Sequence, residues 1–195
     1  FEKALGFEIW SDDFNTAANW TFDNDGQSGV EFGWSIDTTV NSWWPGGGIN
    51  SNSGGSFAEL SNGDPFINGQ GNIGNQALGV KYTMTSIALD IPSLPGNIAY
   101  TDQVTLQYQE SGARLNDRQE VQISVNGIDW VTIRNNKDYH PTLSTMGGSA
   151  FPNPTNVSIN LAPFITSNAS QVQIRFVWTT NHPDLASNAS VWVAY

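Results

Sequence analysis

An alternation of period two constrains this chain of 195 residues more than any other feature. Between Gln103 and Arg134, Val104, Leu106 and Tyr108 alternate with Thr105, Gln107 and Gln109, and Val121, Ile123 and Val125 alternate with Gln122 and Ser124. Successive side chains of a strand point to opposite faces, so each run reads as a strand with one face on a core and the other in water. Asn126-Gly127 follows the second run directly. Both residues tolerate the positive φ of a tight hairpin, which predicts a reversal into Ile128 to Ile133. The run from Val104 is expected to be the partner strand of that hairpin.

The same period recurs along the chain. Phe32, Trp34 and Ile36 alternate, Phe57 to Leu60 is a short strand, and Val172, Ile174, Phe176 and Trp178 form the last clear core row. Tyr82 and Met84 are out of step with Ile87, Leu89 and Ile91, and a slip of one residue near Thr85-Ser86 fits a bulge or a change of partner. Asn156 to Leu161 and Val191 to Tyr195 are also strand-like. No window of ten or more residues keeps the i, i+3, i+4, i+7 apolar spacing of a surface helix. Seven to nine short strands between turn signals predict an all-β chain, a two-sheet antiparallel β-sandwich. The long connections favour a jelly-roll type over the shorter-looped immunoglobulin domain.

One domain over residues 1–195 is expected, since a chain of this length buries roughly 70% of its unfolded surface. Cysteine is absent, so neither disulfides nor thiolate metal sites contribute. Eighteen acidic residues against seven basic give a formal net charge of -11. Such a surface repels nucleic acid and anionic lipid and suits cations, neutral glycans or basic protein partners. No run of 18 apolar residues is present, so membrane insertion is not expected. The richness in Gly, Ser, Asn and Thr and the few Lys and Arg point to a secreted or cell-surface protein. A chain that opens on Phe1 is expected to be a fragment of a larger exported protein, with other domains of the parent chain as neighbours.

Candidate chemistry lies in the polar connections. Asp12 and Asp13 precede Phe14, and they read either as a turn with a capping residue or as ligands for a hard cation such as calcium. Asp23 and Asp25 sit in Trp20-Thr21-Phe22-Asp23-Asn24-Asp25-Gly26, an Asp-rich turn and a weaker metal candidate. An EF-hand register fails there, because Thr21 falls where an acid opens the loop and Phe32 where a glutamate closes it. Trp43 and Trp44, in the Gly- and Pro-rich stretch from Asn41 to Gly55, read as a stacking platform for sugar or peptide, or as a plug over the core. His140 and His182, each followed by proline, read as surface histidines. Glu59, Glu110 and Glu120 are single candidates for glycoside hydrolysis, but no strand carries two acids at i, i+2. Arg118, between Asp117 and Glu120, reads as neutralising both at a surface.

Three motifs taken in order carry a resemblance: Ser11-Asp12-Asp13-Phe14, then Trp20 to Gly26, then Val121-Gln122-Ile123-Ser124-Val125-Asn126-Gly127-Ile128-Asp129-Trp130. With Ile174-Arg175-Phe176 near the end, the chain resembles the cleaved-adhesin and MAM-like jelly-roll accessory domains of secreted bacterial proteins. The resemblance implies a noncatalytic module for adhesion, substrate docking or support of a neighbouring enzyme. It also implies a calcium ion held by the early acids together with acids of a final W-x-I-D-D-V strand. Here that strand reads Val191-Trp192-Val193-Ala194-Tyr195 and stops before the acids. Glu59, Asp117 or backbone carbonyls are then expected to supply the remaining oxygens of a calcium site with Asp12 and Asp13. The function expected is an extracellular binding or adhesion module for glycan or protein, with Trp43 and Trp44 as ligand contacts. A carbohydrate-active enzyme on the same scaffold and a purely structural appendage are the alternatives.

Overall fold

The structure is a computed structural model that describes residues 8–25, 32–38, 55–62, 79–91, 104–112, 117–140, 152–165, 169–179 and 193–194. The chain is all-β in these residues, apart from two 3-10 turns, Ala17–Asn19 and Asn136–Asp138. Eleven strands are present among the described residues, more than the seven to nine expected: β1 (Trp20–Asp23), β2 (Phe32–Asp37), β3 (Phe57–Asn62), β4 (Lys81–Ser86), β5 (Leu89–Ile91), β6 (Thr105–Gly112), β7 (Arg118–Ser124), β8 (Val131–Asn135), β9 (Thr155–Asn160), β10 (Ala169–Thr179) and β11 (Val193–Ala194).

The strands form two antiparallel sheets, neither closed. One follows the order β1-β4-β10-β7-β8, with β5 pairing β10 as its sixth strand, and the other follows β2-β3-β11-β6-β9. Their apolar rows meet in one core, a sandwich-like packing. Trp20, Tyr82, Met84, Val121, Ile123, Ile174, Phe176 and Trp178 come from the first sheet, and Trp34, Ala58 and Leu60 from the second. Phe176 is the pivot, its ring 5.2 Å from Tyr108 edge-on, 6.4 Å from Trp34 and 6.2 Å from Trp20. Burying an aromatic ring this completely contributes several kcal/mol, about 3–5 by the usual cost of truncating one to alanine.

The slip in the alternation near Thr85-Ser86 is a change of strand. β4 ends at Ser86 and β5 begins at Leu89, both against β10, whose register shifts between Ala169 and Val172. Ser86 covers the break: its hydroxyl accepts from the Ile174 amide at 3.0 Å, and its carbonyl accepts from Gln173 Nε2 at 2.9 Å.

Two expectations are corrected. Trp20 to Asp23 is a strand, not a turn, because Trp20 fills the core while Thr21 and Asp23 pair with Thr85 and Thr83 of β4. β7 and β8 do reverse around Asn126-Gly127, but β6 is not their partner: it pairs with β9 and β11 in the opposite sheet. Alternation fixes which face of each strand is apolar and is silent on which sheet supplies the neighbour. The reversal is also wider than a two-residue turn. Asn126 Oδ1 accepts from the amides of Ile128 (2.9 Å) and Asp129 (2.8 Å), and Gly127 takes φ 73, so the side chain of Asn126 stands in for ladder bonds.

Candidate functional site

The inward rows do not stay apolar to their ends. On β6 the face that carries Leu106 and Tyr108 continues to Glu110, and on β7 the face of Ile123 and Val121 runs back to Gln119 and Asp117. Period two carries these polar groups inside, where each must be satisfied. The Glu110 side chain has 0% exposure, and its Oε1 accepts from Arg134 Nη2 at 2.9 Å. His140 Nε2 lies 3.1 Å from the same oxygen, and Asn136 Nδ2 donates to Oε2 at 3.2 Å. Asn136 Nδ2 also donates to Gln119 Oε1 at 3.1 Å, and Gln119 Nε2 donates to Asp117 Oδ2. The chain closes on Trp178, whose indole Nε1 donates to Asp117 Oδ2 at 2.8 Å. The Tyr139 ring covers the Arg134 guanidinium at 3.8 Å. Burial, and then the charge of Glu110, raises the Tyr108 phenol well above its ordinary range.

This centre joins the sheets, since Glu110 belongs to one and Gln119, Arg134 and Trp178 to the other. It is closed to solvent and therefore acts as a tie. His140 is no ordinary surface histidine, its side chain being only 11% exposed beside Glu110. Asp117 is likewise not neutralised at a surface: it is buried on Trp178, and among the described residues the ion pair of Arg118 is with Glu120 at 2.7 Å.

The outer face of the first sheet differs in kind. Antiparallel register lines up Asp23, Thr83, Val177 and Glu120 in one cross-strand row, and Thr21, Thr85, Arg175, Gln122 and Thr132 in the next. These residues occupy the polar phase of the strands whose other phase builds the core. Asp23, Thr83, Val177, Glu120, Gln122 and Arg175 line an open groove of about 220 Å³ with Asp25 and Lys81. Val177, buried at 3% exposure, makes an apolar floor. Asp23 Oδ1 accepts from the Asp25 amide at 2.9 Å, and Glu120 Oε1 accepts from Thr132 Oγ1 at 2.9 Å as well as from Arg118. Arg175 donates through Nε (3.1 Å) and Nη2 (2.6 Å) to Gln122 Oε1, and its guanidinium lies 4.0 Å over the Trp130 ring. Burial pushes the Arg175 guanidinium below its ordinary range, with Glu120 acting in the opposite direction.

The residues singled out from the sequence fall in different places. Trp43 and Trp44 lie outside the described residues, as does His182. Asp12 and Asp13 form the turn before the first 3-10 segment. Asp12 accepts from the Phe14 amide and from Asn19 Nδ2, both at 2.6 Å, and Asp13 accepts from the amide of Asn15 at 3.0 Å and from its side chain. Glu59, buried at 1% exposure, is on β3, and Asp117 is held in the buried centre. Among the described residues no three His, Cys, Asp or Glu side chains gather as a group that could hold a metal ion. Asp23 and Asp25 share the groove. Arg175, Gln122 and Trp130 were not legible as a site. Their signal, a long cation and an amide side by side in the polar phase of two core strands, is one that ordinary solvated strand faces also give.

No family model matches the chain, and a search of curated proteins finds no match. No helix among the described residues is long and apolar enough to cross a membrane.

Proposed function

We propose that this chain is a noncatalytic extracellular binding module, of jelly-roll type, that recognises glycan through the outer face of the β1-β4-β10-β7-β8 sheet. The observation that carries the reading is the groove itself. Carboxylate, amide, hydroxyl and guanidinium groups converge over an apolar valine, on strands whose opposite faces are locked into the core. Such a surface is preorganised, offers acceptors and donors to a polyol, and leaves a small apolar floor for its C–H face. Two of the three glutamates that could serve hydrolysis are withdrawn from this surface. Glu110 and Glu59 are buried away from any incoming substrate.

A glycan array probed with wild-type protein and with Gln122→Ala and Asp23→Asn tests the reading. Binding is expected for the wild type and a loss of about tenfold or more for each variant, the scale of one charged or bidentate hydrogen bond. Binding unchanged in both variants would move the site elsewhere, with the Trp43-Trp44 stretch next in line. Repeating the array in calcium and after chelation tests the calcium-stabilised form of the proposal. Further oxygens would have to complete any cation site at Asp12 and Asp13, and a melting temperature that falls on chelation is the expected sign.

A further inference from the structure

Among the described residues, the two cations of the groove lack the carboxylate partner that Arg134 and Arg118 have. Ion pairs join Arg134 to Glu110 and Arg118 to Glu120. Among the described residues Arg175 and Lys81 have no carboxylate within ion-pair distance, although the chain carries 18 acids against seven basic residues and three of those acids line the same groove. The acids are turned to local donors: Asp23 to the Asp25 amide, Asp25 to the Lys81 amide at 3.4 Å, and Glu120 to Arg118 and Thr132. Arg175 is held instead by neutral groups, the Gln122 amide oxygen and the Trp130 ring. These partners fix the guanidinium plane without neutralising it, and its Nη1 makes no hydrogen bond among the described residues. Half-burial of a charge costs free energy that an opposite charge recovers, and here the recovery is partial: burial lowers the Arg175 pKa while Glu120, beyond ion-pair distance, acts the other way.

Resting on the glycan reading above, we propose that the groove selects sugars that carry a carboxylate, the hexuronate class, with Arg175 and Lys81 receiving the carboxylate and Asp23, Glu120 and Gln122 the ring hydroxyls. The guanidinium edge left by Gln122 suits a planar carboxylate, which accepts charge-assisted N–H bonds stronger than those to neutral oxygens. Acceptors around it call for hydroxyl donors on the same ligand, which a simple carboxylic acid lacks. The cavity is smaller than the roughly 300–1,000 Å³ that encloses drug-sized ligands, so it takes one sugar unit at a time. The net charge of -11 opposes an anion at long range, but at physiological salt that field is screened beyond about 8 Å, and the two cations act within contact distance.

Matched pairs decide the matter: glucuronate with glucose, galacturonate with galactose and mannuronate with mannose, titrated by NMR while following the indole N–H of Trp130 and the side-chain amide of Gln122. At least one hexuronate is expected to bind about tenfold or more tightly than its neutral parent, the size of a charge-assisted hydrogen bond. Added salt should weaken only the acid. Arg175→Gln is expected to abolish the preference, bringing hexuronate affinity down to that of the neutral parent, and Lys81→Met to reduce it. Should Arg175→Gln fail to fold, Lys81→Met and the wild-type selectivity still test the claim. Equal binding of acid and parent throughout would overturn the hexuronate proposal and leave the glycan reading standing. No shift with any of the six sugars would overturn both.

Discussion

Two arginines in one sheet show what its faces are for. Arg134 on β8 and Arg175 on β10 are both held by hydrogen bonds and both covered by an aromatic ring, Tyr139 at 3.8 Å and Trp130 at 4.0 Å. They differ in the group opposite. Arg134 meets the Glu110 carboxylate between the sheets, with its side chain 9% exposed, whereas Arg175 meets a neutral amide on the open face. A buried charge pair is closed chemistry: every strong bond it can make is inside the protein, and its contribution is to hold the sheets in register. A cation steadied by neutral groups in an open groove keeps its strongest bond for something else. The contrast predicts that one arginine is coupled to stability and the other to binding.

The largest effect should come from Arg134→Met, which leaves Glu110 buried beside Asn136 and His140 with its arginine gone. Removing one partner of a buried pair costs about 3–5 kcal/mol, read as a lower urea midpoint at unchanged m-value. Glu110→Gln added to the same chain should recover a large part, because the unpaired charge goes with it. Arg175→Met should cost no more than about 1 kcal/mol, the worth of its contact with Trp130. Equal costs for the two arginines would break the comparison.

A second effect belongs to the closed centre alone. Tyr108 has a raised folded-state pKa because it is buried beside Glu110. The sign follows from which state keeps the proton. Above the ordinary tyrosine value of about 10 the unfolded chain ionises this phenol and the folded chain does not, so its stabilising contribution is complete below that pH and is lost above it. The slope is about -1.4 kcal/mol per pH unit. Unfolding followed from pH 9 upward should therefore fall more steeply in the wild type than in Tyr108→Phe, and parallel curves would show that the phenol is not shielded.

Much of this was written in the sequence, in one currency only. The apolar phases of β2, β4, β7 and β10 name the core, and the slip near Thr85-Ser86 marks the break between β4 and β5. The same period also exposes the buried centre, since Glu110 stands where the row of Leu106 and Tyr108 calls for an apolar residue, and Asp117 and Gln119 break the row of Val121 in the same way. Polarity taken without phase makes Glu110 a catalytic candidate and Asp117 a surface acid or calcium ligand, and it passes over Gln119. What period two cannot carry is pairing across the chain. That Glu110 would meet Arg134, 24 residues on, and that Asp23 would share a groove with Arg175, depends on which strands become neighbours. The strand order β1-β4-β10-β7-β8 follows from long-range packing that leaves no local trace.

The smallest predicted effect is also the sharpest test of how the two regions divide. Arg118 lies between them in character: it is ion-paired like Arg134, to Glu120 at 2.7 Å, but its side chain is 41% exposed and its partner lines the groove. An ion pair this open to water contributes little, about 0–0.5 kcal/mol, and less in salt, so Arg118→Ala should leave the urea midpoint almost unmoved. Its consequence should appear in binding. With Arg118 gone, Glu120 keeps Thr132 as its one side-chain donor among the described residues, and its negative charge stands less compensated beside Val177 and Gln122. Hexuronate affinity should then fall by a few-fold at low salt and recover as salt screens the carboxylate, while affinity for the neutral parent sugar stays level. A stability loss on the scale of Arg134→Met would instead place Arg118 with the closed centre, and the groove would then be part of the scaffold rather than a surface held open by it.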